Sequence, residues 1–511
     1  MKRIVGIVLS VIMILSLASV SFGFTKAPAA DTKKNLTISV AYYGSAQGMD
    51  QDALGKYVQQ KFNFKLKYVS TDNDKLKVMA AAKNLPDVFP LDIMDSFFYN
   101  LKKSKLIREV PDKILAKYPL VKKMNDMNAC NMTAKQFNGG KMFSIAHPAM
   151  ADYPTKSYGC VAYMRNDWLK KLNLQAPTTM DELYNVLKAF TFNDPDGNGQ
   201  NDTYGLSGWL WSVYFAPWVD YYGWVKDNGK WVPGYASDRL KPALQFYNRL
   251  YKEKILDPEF AQAPKEKFIQ GHVGYMVLNG GTYWLGEILT QFQNATELKY
   301  KDAIKILPPL KTDANSKPQW IAGTESFSTL FSSQCTDDKM NRILMFIDWS
   351  LSTEGRMFKL YGRKDKDYKI VNGKVVSTIP KDDWGHIPPI YQAFPSVQIF
   401  NLACWDVESP IPAQNPATPK EFEDMWKKLE KDVYGPASTT PNFAIDFLPS
   451  PAREKYTVGV LDVEAQLQKL IASKGDPIAE FEKYRTKLLK VNGLQKVIDE
   501  KNAEAAKKGI K

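Results

Sequence analysis

Histidine and cysteine are scarce in this sequence. Its 511 residues contain three histidines and four cysteines, and no two histidines have a spacing that would place both rings on one helical face. A histidine-based metalloenzyme is therefore disfavoured. The cysteines are too few and too spread for a disulfide framework and lack metal-ligand spacing, so one or two disulfides and buried thiols both stay open. They are Cys130, Cys160, Cys335 and Cys404.

Long apolar runs are missing after the first two dozen residues. Two basic residues precede an apolar run at 4–20, and Ser21 and Gly23 follow it as a small-x-small cleavage pattern. This predicts a secretory signal peptide over residues 1–23, with a second cleavage site a few residues later. An uncleaved anchor helix is the alternative, because the run borders on spanning length. The mature chain would then begin with a flexible leader over 24–35.

Acidic residues are outnumbered by basic ones. The chain has 55 Asp and Glu against 68 Lys and Arg, a formal net charge of +13, which falls to +11 when Lys2 and Arg3 leave with the signal. Such a surplus fits an acidic ligand, an anionic wall polymer or a membrane surface, and it also fits a solvated lysine-rich surface with no specific partner. Nucleic acid is excluded as a partner by the predicted export and the scattered lysines.

The length of the chain predicts more than one hydrophobic core, hence two lobes or more. Between residues 36 and 92 short strands alternate with helices, which predicts a parallel, right-handed βαβ sheet. Ligands of such sheets bind beyond the carboxyl ends of the strands, and this places Tyr42, Tyr43 and Asp92 at a cleft edge. Downstream, an apolar period of three to four predicts mainly helices. The predicted strands are 36–40, 64–69 and 88–91, and the predicted helices are 50–62, 75–83, 181–190, 239–254, 339–361, 419–431 and 463–474.

The sharpest motif is a loop that begins at Asp194. Oxygen-bearing side chains at loop positions 1, 3, 5 and 9, with glycine at 6 and a backbone carbonyl at 7, match the first nine places of a calcium-binding loop. Gly205 stands where the usual bidentate glutamate would be at position 12. We expect one structural Ca²⁺ here, and a polar turn without an ion is the alternative. The expected ligands are Asp194, Asp196, Asn198, the Gln200 carbonyl, Asp202 and Thr203 or water.

Further motifs lie upstream of this loop. A segment from Met164 to Leu174 precedes Thr179, and Glu182 three residues later completes a capping box that begins a helix. Together with the loop from Asp194 to Gly205, these residues resemble the extracellular solute-binding proteins of family 1 that serve carbohydrate ABC importers. The resemblance is closest to the long subgroup with alginate-binding and other oligosaccharide-binding members. Looser matches are residues 79–88, 346–349 and 361–362.

The resemblance implies an α/β, two-lobed periplasmic-binding-protein-like fold of type II, each lobe a small sheet flanked by helices and the second lobe rich in helix. Residues 36–150 and about 325–375 would form the first lobe, and 151–324 and about 376–511 the second. It also implies a monomer, exported to the periplasm or cell surface, that delivers a carbohydrate to ABC permease subunits and meets the membrane only through them. The lipid-attachment cysteine of many relatives is missing near residues 17–30.

Aromatic residues are abundant, with 12 Trp, 26 Tyr and 26 Phe, and they are dense between 209 and 224. Sugar rings stack their C–H faces on aromatic planes, so a glycan cleft combines such rings with polar neighbours. Packing in a core is the alternative for each of them. The expected ligand-binding residues are Tyr42, Tyr43, Asp92, Trp209, Trp211, Trp218, Trp224, Trp284, Glu325 and Trp384, with Tyr283 and Trp405 as further candidates.

Two other functions fit the same features. A secreted glycan-active hydrolase would share the export signal and the aromatic cleft, but it needs two carboxylates across the scissile bond and no signature nominates such a pair. A wall-associated lectin without a transporter would share the fold. We therefore expect a binding protein and not an enzyme, with an oligosaccharide as ligand, and the charge of +11 favours an acidic one.

Overall fold

The structure is a computed structural model. It describes residues 33–43, 47–147, 159–210, 212–321, 326–372, 374–379, 390–403, 420–439 and 442–510. Over those ranges, no helix combines the length and the apolar character that a membrane crossing requires.

The strands are short and divide into two main sheets and three small ones. In chain order they are β1 (Leu36–Tyr43), β2 (Phe64–Thr71), β3 (Val88–Asp92), β4 (Ile145–Ala146), β5 (Cys160–Arg165), β6 (Tyr204–Leu206), β7 (Trp224–Asp227), β8 (Lys230–Pro233), β9 (Val273–Asn279), β10 (Ile304–Leu307), β11 (Trp320–Ile321), β12 (Phe327–Phe331), β13 (Tyr368–Val371), β14 (Lys374–Ser377) and β15 (Ser438–Thr439).

Helices surround both main sheets. The α-helices are Ala53–Phe62, Asn73–Ala81, Ser96–Lys103, Asp112–Leu115, Pro119–Met127, Ala129–Phe137, Asn166–Lys171, Met180–Phe192, Ser212–Phe215, Lys241–Lys252, Pro264–Ile269, Gly281–Thr296, Tyr300–Ala303, Asp337–Leu351, Thr353–Tyr361, Ile390–Ala393, Lys420–Leu429, Gly435–Ala437, Phe443–Phe447, Val460–Ile471, Pro477–Thr486 and Leu494–Lys507. Shorter 3₁₀ or π turns are Gly234–Ala236, Asp238–Leu240, Pro395–Leu402, Glu430–Tyr434, Arg453–Lys455 and Lys487–Val491.

The first sheet has the strand order β2-β1-β3-β12-β4. β1 is parallel to both β2 and β3, as the βαβ pattern predicts. β12 runs antiparallel to β3 and to β4. The sheet is therefore mixed, and the wholly parallel prediction was wrong in this respect, because β12 arrives from more than 200 residues downstream.

Both faces of this sheet are buried. Ile38 and Val40 of β1 lie in one apolar cluster with Phe346 of helix Asp337–Leu351. Phe89 and Leu91 of β3 lie in another cluster, on which Phe98 and Phe447 pack. Burying a side chain of this size contributes about 1.5–3 kcal/mol, so the alternation of apolar side chains along these strands fixes their register.

The second sheet has the order β10-β5-β9-β6, with β6 parallel to β9 and the other pairs antiparallel. All six residues of β5 are buried, which means that helices cover this sheet on both faces. Its core includes residues from Lys420–Leu429 and Val460–Ile471, two helices far along the chain.

The two cores are joined by adjacent chain segments. β11, which belongs to the second core through Trp320 and Ile321, pairs in parallel with β15. The chain reaches the first sheet at β12 after β11, and after β15 it reaches the first-lobe cluster at Phe443. The two strands that precede these passages, β11 and β15, therefore lie side by side.

Residues 390–403 pack on the first sheet. The ring of Phe400 lies 5.2 Å from that of Phe346 and 5.7 Å from that of Trp349, centroid to centroid. This packing differs from the expected lobe boundary, which assigned everything after about residue 376 to the second lobe. The short segment from Phe443 to Phe447 departs from it in the same way.

One long helix was predicted over 339–361, and the structure has two. Ser352 adopts an extended backbone and accepts a hydrogen bond from the Gly355 N–H at 3.2 Å, so it caps a new helix. A Cβ at Gly355 would stand 2.0 Å from the Trp349 carbonyl oxygen. The apolar period continues across the break, and periodicity alone could not reveal it.

Three cysteines, Cys130, Cys160 and Cys335, are buried, and none of the three is joined to another. Cys404 lies outside the described residues.

Candidate functional site

The carboxyl ends of β1 and β3 form one edge of the first sheet. Tyr42 and Tyr43 end β1 and Asp92 ends β3. The Tyr43 hydroxyl donates to Asn73 Oδ1 at 2.5 Å, and its ring lies edge-on to Phe327 with 5.7 Å between centroids. This edge therefore holds a phenol, an amide, a carboxylate and a second aromatic ring.

The pKa of Tyr43, at this edge of the sheet, is raised above its usual value. Burial raises the pKa of Tyr43, and the carboxylates of Asp95, Asp72 and Asp92 raise it further. Its hydroxyl thus remains a hydrogen-bond donor at any physiological pH. The Tyr42 hydroxyl donates to Gln398 Oε1, which ties the end of β1 to residues 390–403.

Asp92 accepts local hydrogen bonds and interacts with Arg453, a residue that the sequence analysis did not predict to lie nearby. Its Oδ1 accepts from the Met94 N–H at 2.9 Å. Burial raises the pKa of Asp92, while a hydrogen bond from Ser326 and the positive charge of Arg453 act in the opposite direction. Arg453 lies 361 positions further along the chain, and its positive charge lowers the pKa of this carboxylate, but burial has the larger effect and the net pKa is raised.

Arg453 belongs to a charged cluster with Asp446 and Lys501, which we name the junction cluster. Burial raises the pKa of Asp446 to about 7, while Lys501, Arg453 and a hydrogen bond from the Trp224 side chain oppose this. Lys501 Nζ donates to the backbone carbonyls of Asp446 at 2.6 Å and Leu448 at 2.7 Å. Trp224, predicted as a ligand-binding residue, is thereby placed in this cluster.

The guanidinium of Arg453 is lightly engaged. Within the described residues its one hydrogen bond is a long one, 3.4 Å from Nη1 to the Tyr456 carbonyl oxygen, and the guanidinium carbon lies 5.7 Å from the centroid of the Tyr456 ring. The Tyr456 hydroxyl is in turn 3.3 Å from that of Tyr235. The arginine can therefore turn its remaining N–H groups toward an anionic ligand.

No pattern in the sequence predicted this cluster. Asp446, Arg453 and Lys501 lie in a Pro-containing stretch and on a C-terminal helix, without any metal or catalytic spacing. Their proximity to Asp92 depends on the chain returning to the first lobe at Phe443–Phe447, which no local pattern encodes.

The other predicted aromatic residues have different surroundings. Trp218 packs with its ring centroid 5.5 Å from that of Phe246 and 6.1 Å from that of Tyr247, which favours a core role. Trp209 is 43% exposed, and Trp284 is half-buried in the first turn of helix Gly281–Thr296. Tyr283 belongs to that same turn. Trp211, Glu325, Trp384 and Trp405 lie outside the described residues.

The predicted calcium loop is a tight turn beyond helix Met180–Phe192. Asp194 begins it in a left-handed conformation, with φ of 46°. Its Oδ1 accepts from the Gly197 N–H at 2.9 Å and its Oδ2 from the Gly199 N–H at 3.2 Å. Both glycines have positive φ, 80° and 76°, and a Cβ at Gly197 would come within 2.1 Å of Lys171 Nζ.

Three further predicted ligands converge in this loop. Asn198 Nδ2 donates to Asp196 Oδ2 at 2.8 Å and to the two oxygens of Asp202 at 3.3 and 3.2 Å. The Gln200 N–H donates to Asn198 Oδ1 at 2.6 Å. Partial desolvation raises the pKa of Asp194, but the hydrogen bonds with Asp196 and the glycine N–H groups more than offset this, and the net pKa is lowered.

Thr203 does not join the loop group. Its side chain is buried, and its hydroxyl donates to the Phe190 carbonyl at 2.9 Å, so the prediction of Thr203 as a ligand is not supported by this geometry. The neighbouring Gly205 explains the missing glutamate at position 12. A Cβ there would stand 2.4 Å from the Leu187 carbonyl oxygen, because β6 passes directly against the helix.

The donor set suits a hard cation. Carboxylate and amide oxygens on alternate residues of one turn are what Ca²⁺ prefers. In the described part of the chain, however, no three His, Cys, Asp or Glu side chains stand close enough together to hold a metal. The Asn198 amide occupies the space between Asp196 and Asp202, so ion binding would require it to turn its oxygen inward.

Comparison with known proteins finds a matching family and similar sequences. The family of bacterial extracellular solute-binding proteins matches residues 26–356. The polygalacturonan/rhamnogalacturonan-binding protein YtcQ of Bacillus subtilis is 30% identical over 288 residues, which are 54% of each chain, so the match spans about half of that relative. Lipoprotein LipO of the same organism is 25% identical over 88% of this chain and 91% of its own.

A solved structure has the same fold. Alginate-binding protein AlgQ2, crystallised without calcium ion, superposes with a TM-score of 0.64 over 93% of this chain and 99% of its own, at 18% identity. The two-lobed type II architecture predicted from the sequence is thus confirmed. The family match covers more than half of the chain, and this protein belongs to the bacterial extracellular solute-binding protein family.

Proposed function

We propose that this protein is the substrate-binding component of an ABC importer, and that it captures an acidic oligosaccharide between its lobes. The observation that carries the proposal is the meeting of Tyr43, Asp92 and Phe327 at the strand ends with Arg453 from the junction cluster. Aromatic rings offer stacking planes for sugar rings, and a lightly engaged guanidinium offers a bidentate partner for a uronate carboxylate.

Two of the similar proteins are named for acidic ligands. YtcQ is named for binding polygalacturonan and rhamnogalacturonan, and AlgQ2 for binding alginate. Polygalacturonan and alginate are built of uronic acids. The net charge of +13, or +11 once residues 1–23 are removed, would attract such a polyanion over distances near the Debye length, about 8 Å at physiological salt.

Capture would couple to a change of shape. The crossings at β11 and β15 allow the lobes to rotate about a hinge, and a ligand that touches both lobes favours the closed arrangement. The closed form is then the one that the permease recognises. Export by the signal peptide at residues 1–23 and a monomeric state belong to the same proposal, with delivery to the permease as the one contact with the membrane.

We also propose a structural Ca²⁺ in the loop that begins at Asp194. Asp194, Asp196, Asn198, the Gln200 carbonyl and Asp202 would supply oxygen ligands, with water completing the shell. A divalent cation would offset the mutual repulsion of three aspartates in one turn. Because all these ligands come from one loop remote from Asp92 in the chain, the ion would stabilise the second lobe and take no part in sugar chemistry.

Calorimetry with tetragalacturonate and a neutral galactose tetramer tests the ligand class. We expect tetragalacturonate to bind and its affinity to fall as salt rises, because the attraction is partly electrostatic. Arg453→Gln should weaken binding about tenfold, a loss of about 1.4 kcal/mol. Lys455→Gln removes an exposed charge two residues away and serves as the matched control.

Two results would contradict the proposal. Equal, salt-insensitive affinity for both tetramers would contradict the proposal that the ligand is acidic. Failure to bind any oligosaccharide would contradict the proposed class of substrate. Release of reducing sugar from tetragalacturonate by the wild-type protein would favour the hydrolase over the binding protein.

A further inference from the structure

A cavity of about 300 Å³ lies outside the strand-end edge, where first-lobe helices meet the C-terminal segments. Helices Ser96–Lys103 and Ala129–Phe137 supply its first wall through their C-terminal ends. The chain from Phe447 to Glu454 and Lys501 of the last helix supply the other. We name it the junction cavity.

The lining is strongly cationic. Lys102, Lys103, Arg453 and Lys501 face one carboxylate, that of Glu454. Glu454 is bound by Lys103 at 2.8 Å, so this carboxylate neutralises one of the four cations.

The remaining cations are held in place by neutral groups. Lys102 Nζ donates to Asn138 Oδ1 and lies 5.7 Å from the Tyr99 ring, and burial lowers its pKa. Lys501 is fixed by its two backbone carbonyls. The Asp446 carboxylate acts on both Lys501 and Arg453 and offsets part of their charge, so the surplus of positive charge in the cavity centres on Lys102, which a neutral amide positions.

Aromatic rings form the rest of the wall. Tyr99 and Phe447 lie 6.5 Å apart, centroid to centroid, and Phe137 also lines the cavity, with Lys508 Nζ 5.6 Å from its ring. Asn138 and Ser450 add groups that can bond hydroxyls. Rings, cations and amides in one small cavity are the combination that an acidic sugar ring needs.

This cavity shares Arg453 with the strand-end edge, and its other cations come from different segments of the chain. Helix Ser96–Lys103 begins just after Asp92, and its eight residues carry the chain about 12 Å away before Lys102 and Lys103 reach the cavity. Its volume lies at the lower end of the roughly 300–1,000 Å³ found for small-molecule sites. One or two sugar units fit such a space.

We propose that the junction cavity is a second carbohydrate site, which binds a single uronic acid unit through its carboxylate. The sugar ring stacks on the Tyr99, Phe137 and Phe447 side, and the carboxylate is held by Lys102 with help from Arg453. An occupant contacts both the first-lobe helices and the C-terminal helix Leu494–Lys507, so it also fixes the junction between them. The site shares Arg453 with the strand-end edge, and the proposal otherwise rests on Lys102, Tyr99, Phe137 and Phe447.

Titration with D-galacturonate, observed by protein NMR, tests this site, with D-galactose as the neutral match. We expect weak binding of galacturonate and about tenfold weaker binding of galactose. Lys102→Gln and Phe137→Leu should each raise the dissociation constant for galacturonate at least fivefold. Lys113→Gln, which removes an exposed lysine elsewhere on the first lobe, is the matched control. Arg453 is left unchanged because it also faces Asp92.

The outcomes separate this proposal from the proposed function. If Lys102→Gln leaves galacturonate affinity unchanged while Asp92→Asn lowers it, the monosaccharide binds at the strand ends and the junction cavity is not a site. Equal affinity for inorganic phosphate would contradict the assignment to a sugar. Unchanged melting temperature and tetragalacturonate affinity in Lys102→Gln would show that its effect is local, and loss of both would contradict a separate site.

Discussion

His147 sits in the buried core beside the strand-end edge. Its ring centroid lies 5.9 Å from that of Phe327, and Nε2 shares a hydrogen bond with the Thr329 hydroxyl. Burial, reinforced by the charge of Lys359, lowers the pKa of His147 to about 3. A histidine of lowered pKa stays neutral in the folded protein, whereas in the unfolded chain it takes up a proton below about pH 6.5.

His147 should therefore make the protein sensitive to acid. As pH falls from 6.5 toward 3, the unfolded state binds a proton that the folded state does not, and the free energy of unfolding decreases. By pH 5 this one group should cost about 2 kcal/mol. Urea titrations at pH 7.5 and 5 should show a smaller pH-dependent loss in His147→Gln than in wild type. His272→Gln, at an exposed position, is the control, and equal losses in all three proteins would contradict the prediction.

The contacts of Gly205 explain why glycine, and not glutamate, stands at position 12 of the predicted calcium loop. A side chain at this position would collide with the helix backbone at Leu187. We expect Gly205→Ala to lower the free energy of unfolding by about 1–3 kcal/mol, as overpacking does. Gly159→Ala is the control, because nothing lies within 4 Å of its missing Cβ and its backbone does not require glycine. A chemical denaturation curve of Gly205→Ala that matches wild type would show that the helix and β6 can separate freely.

At the level of elements, local signals predicted well. The strands at residues 36, 64 and 88 were each predicted from their first residue, and alternation of side chains was sufficient to find them. The capping box of Thr179 and Glu182 is confirmed, with the helix N–H donating to Thr179 at 3.3 Å. Such features depend on residues three or four positions apart.

Elements that depend on distant contacts were not foreseen. β12 and β4 complete the first sheet from far along the chain. Three of the predicted ligand-binding residues lie at strand ends, and they were predicted from the geometry of a parallel sheet. Arg453 was not predicted, because its position near Asp92 depends on where the C-terminal segment folds. The position of an aromatic residue is hard to predict for another reason, because a tryptophan such as Trp218 can pack in a core as well as line a cleft.

The calcium loop gives a prediction for one element. Without a bidentate glutamate, its affinity for Ca²⁺ should lie in the weak extracellular range, roughly 10⁻⁴–10⁻³ M. At ten times the dissociation constant, the ion should stabilise the protein by about 1.4 kcal/mol, a small rise in Tm for a chain of this size. Scanning calorimetry with Ca²⁺ and with chelator should show this rise in wild type.

Asp196→Ala should abolish the calcium-dependent rise, because it removes a central oxygen ligand. Asp181→Ala, at an exposed position in the first turn of the preceding helix, is a matched loss of charge outside the loop and should retain the rise. The same Tm with and without Ca²⁺ in wild type would mean that the loop is a polar turn closed by the Asn198 amide.

At the scale of the whole molecule, charge and architecture act together. The surplus of basic residues favours encounter with a polyanion, and its effect should weaken as salt rises. The cleft and the junction cavity both use residues of the C-terminal segments, which return to the first lobe after crossing the hinge. Ligand binding and lobe movement are therefore expected to be linked.

This linkage predicts compaction on binding. For a chain of this length, a compact globular shape has a radius of gyration of roughly 23 Å. The open form of a two-lobed protein has a larger radius of gyration than its closed form. Saturating tetragalacturonate should lower the radius measured by small-angle X-ray scattering and shift tryptophan fluorescence, because Trp224 contacts Asp446 at the junction. A neutral galactose tetramer at the same concentration should change neither signal. Asp92→Asn should require more ligand for the same compaction. Calorimetric binding of tetragalacturonate with an unchanged radius would contradict closure, since a ligand shifts the equilibrium between open and closed forms only as far as it prefers one of them.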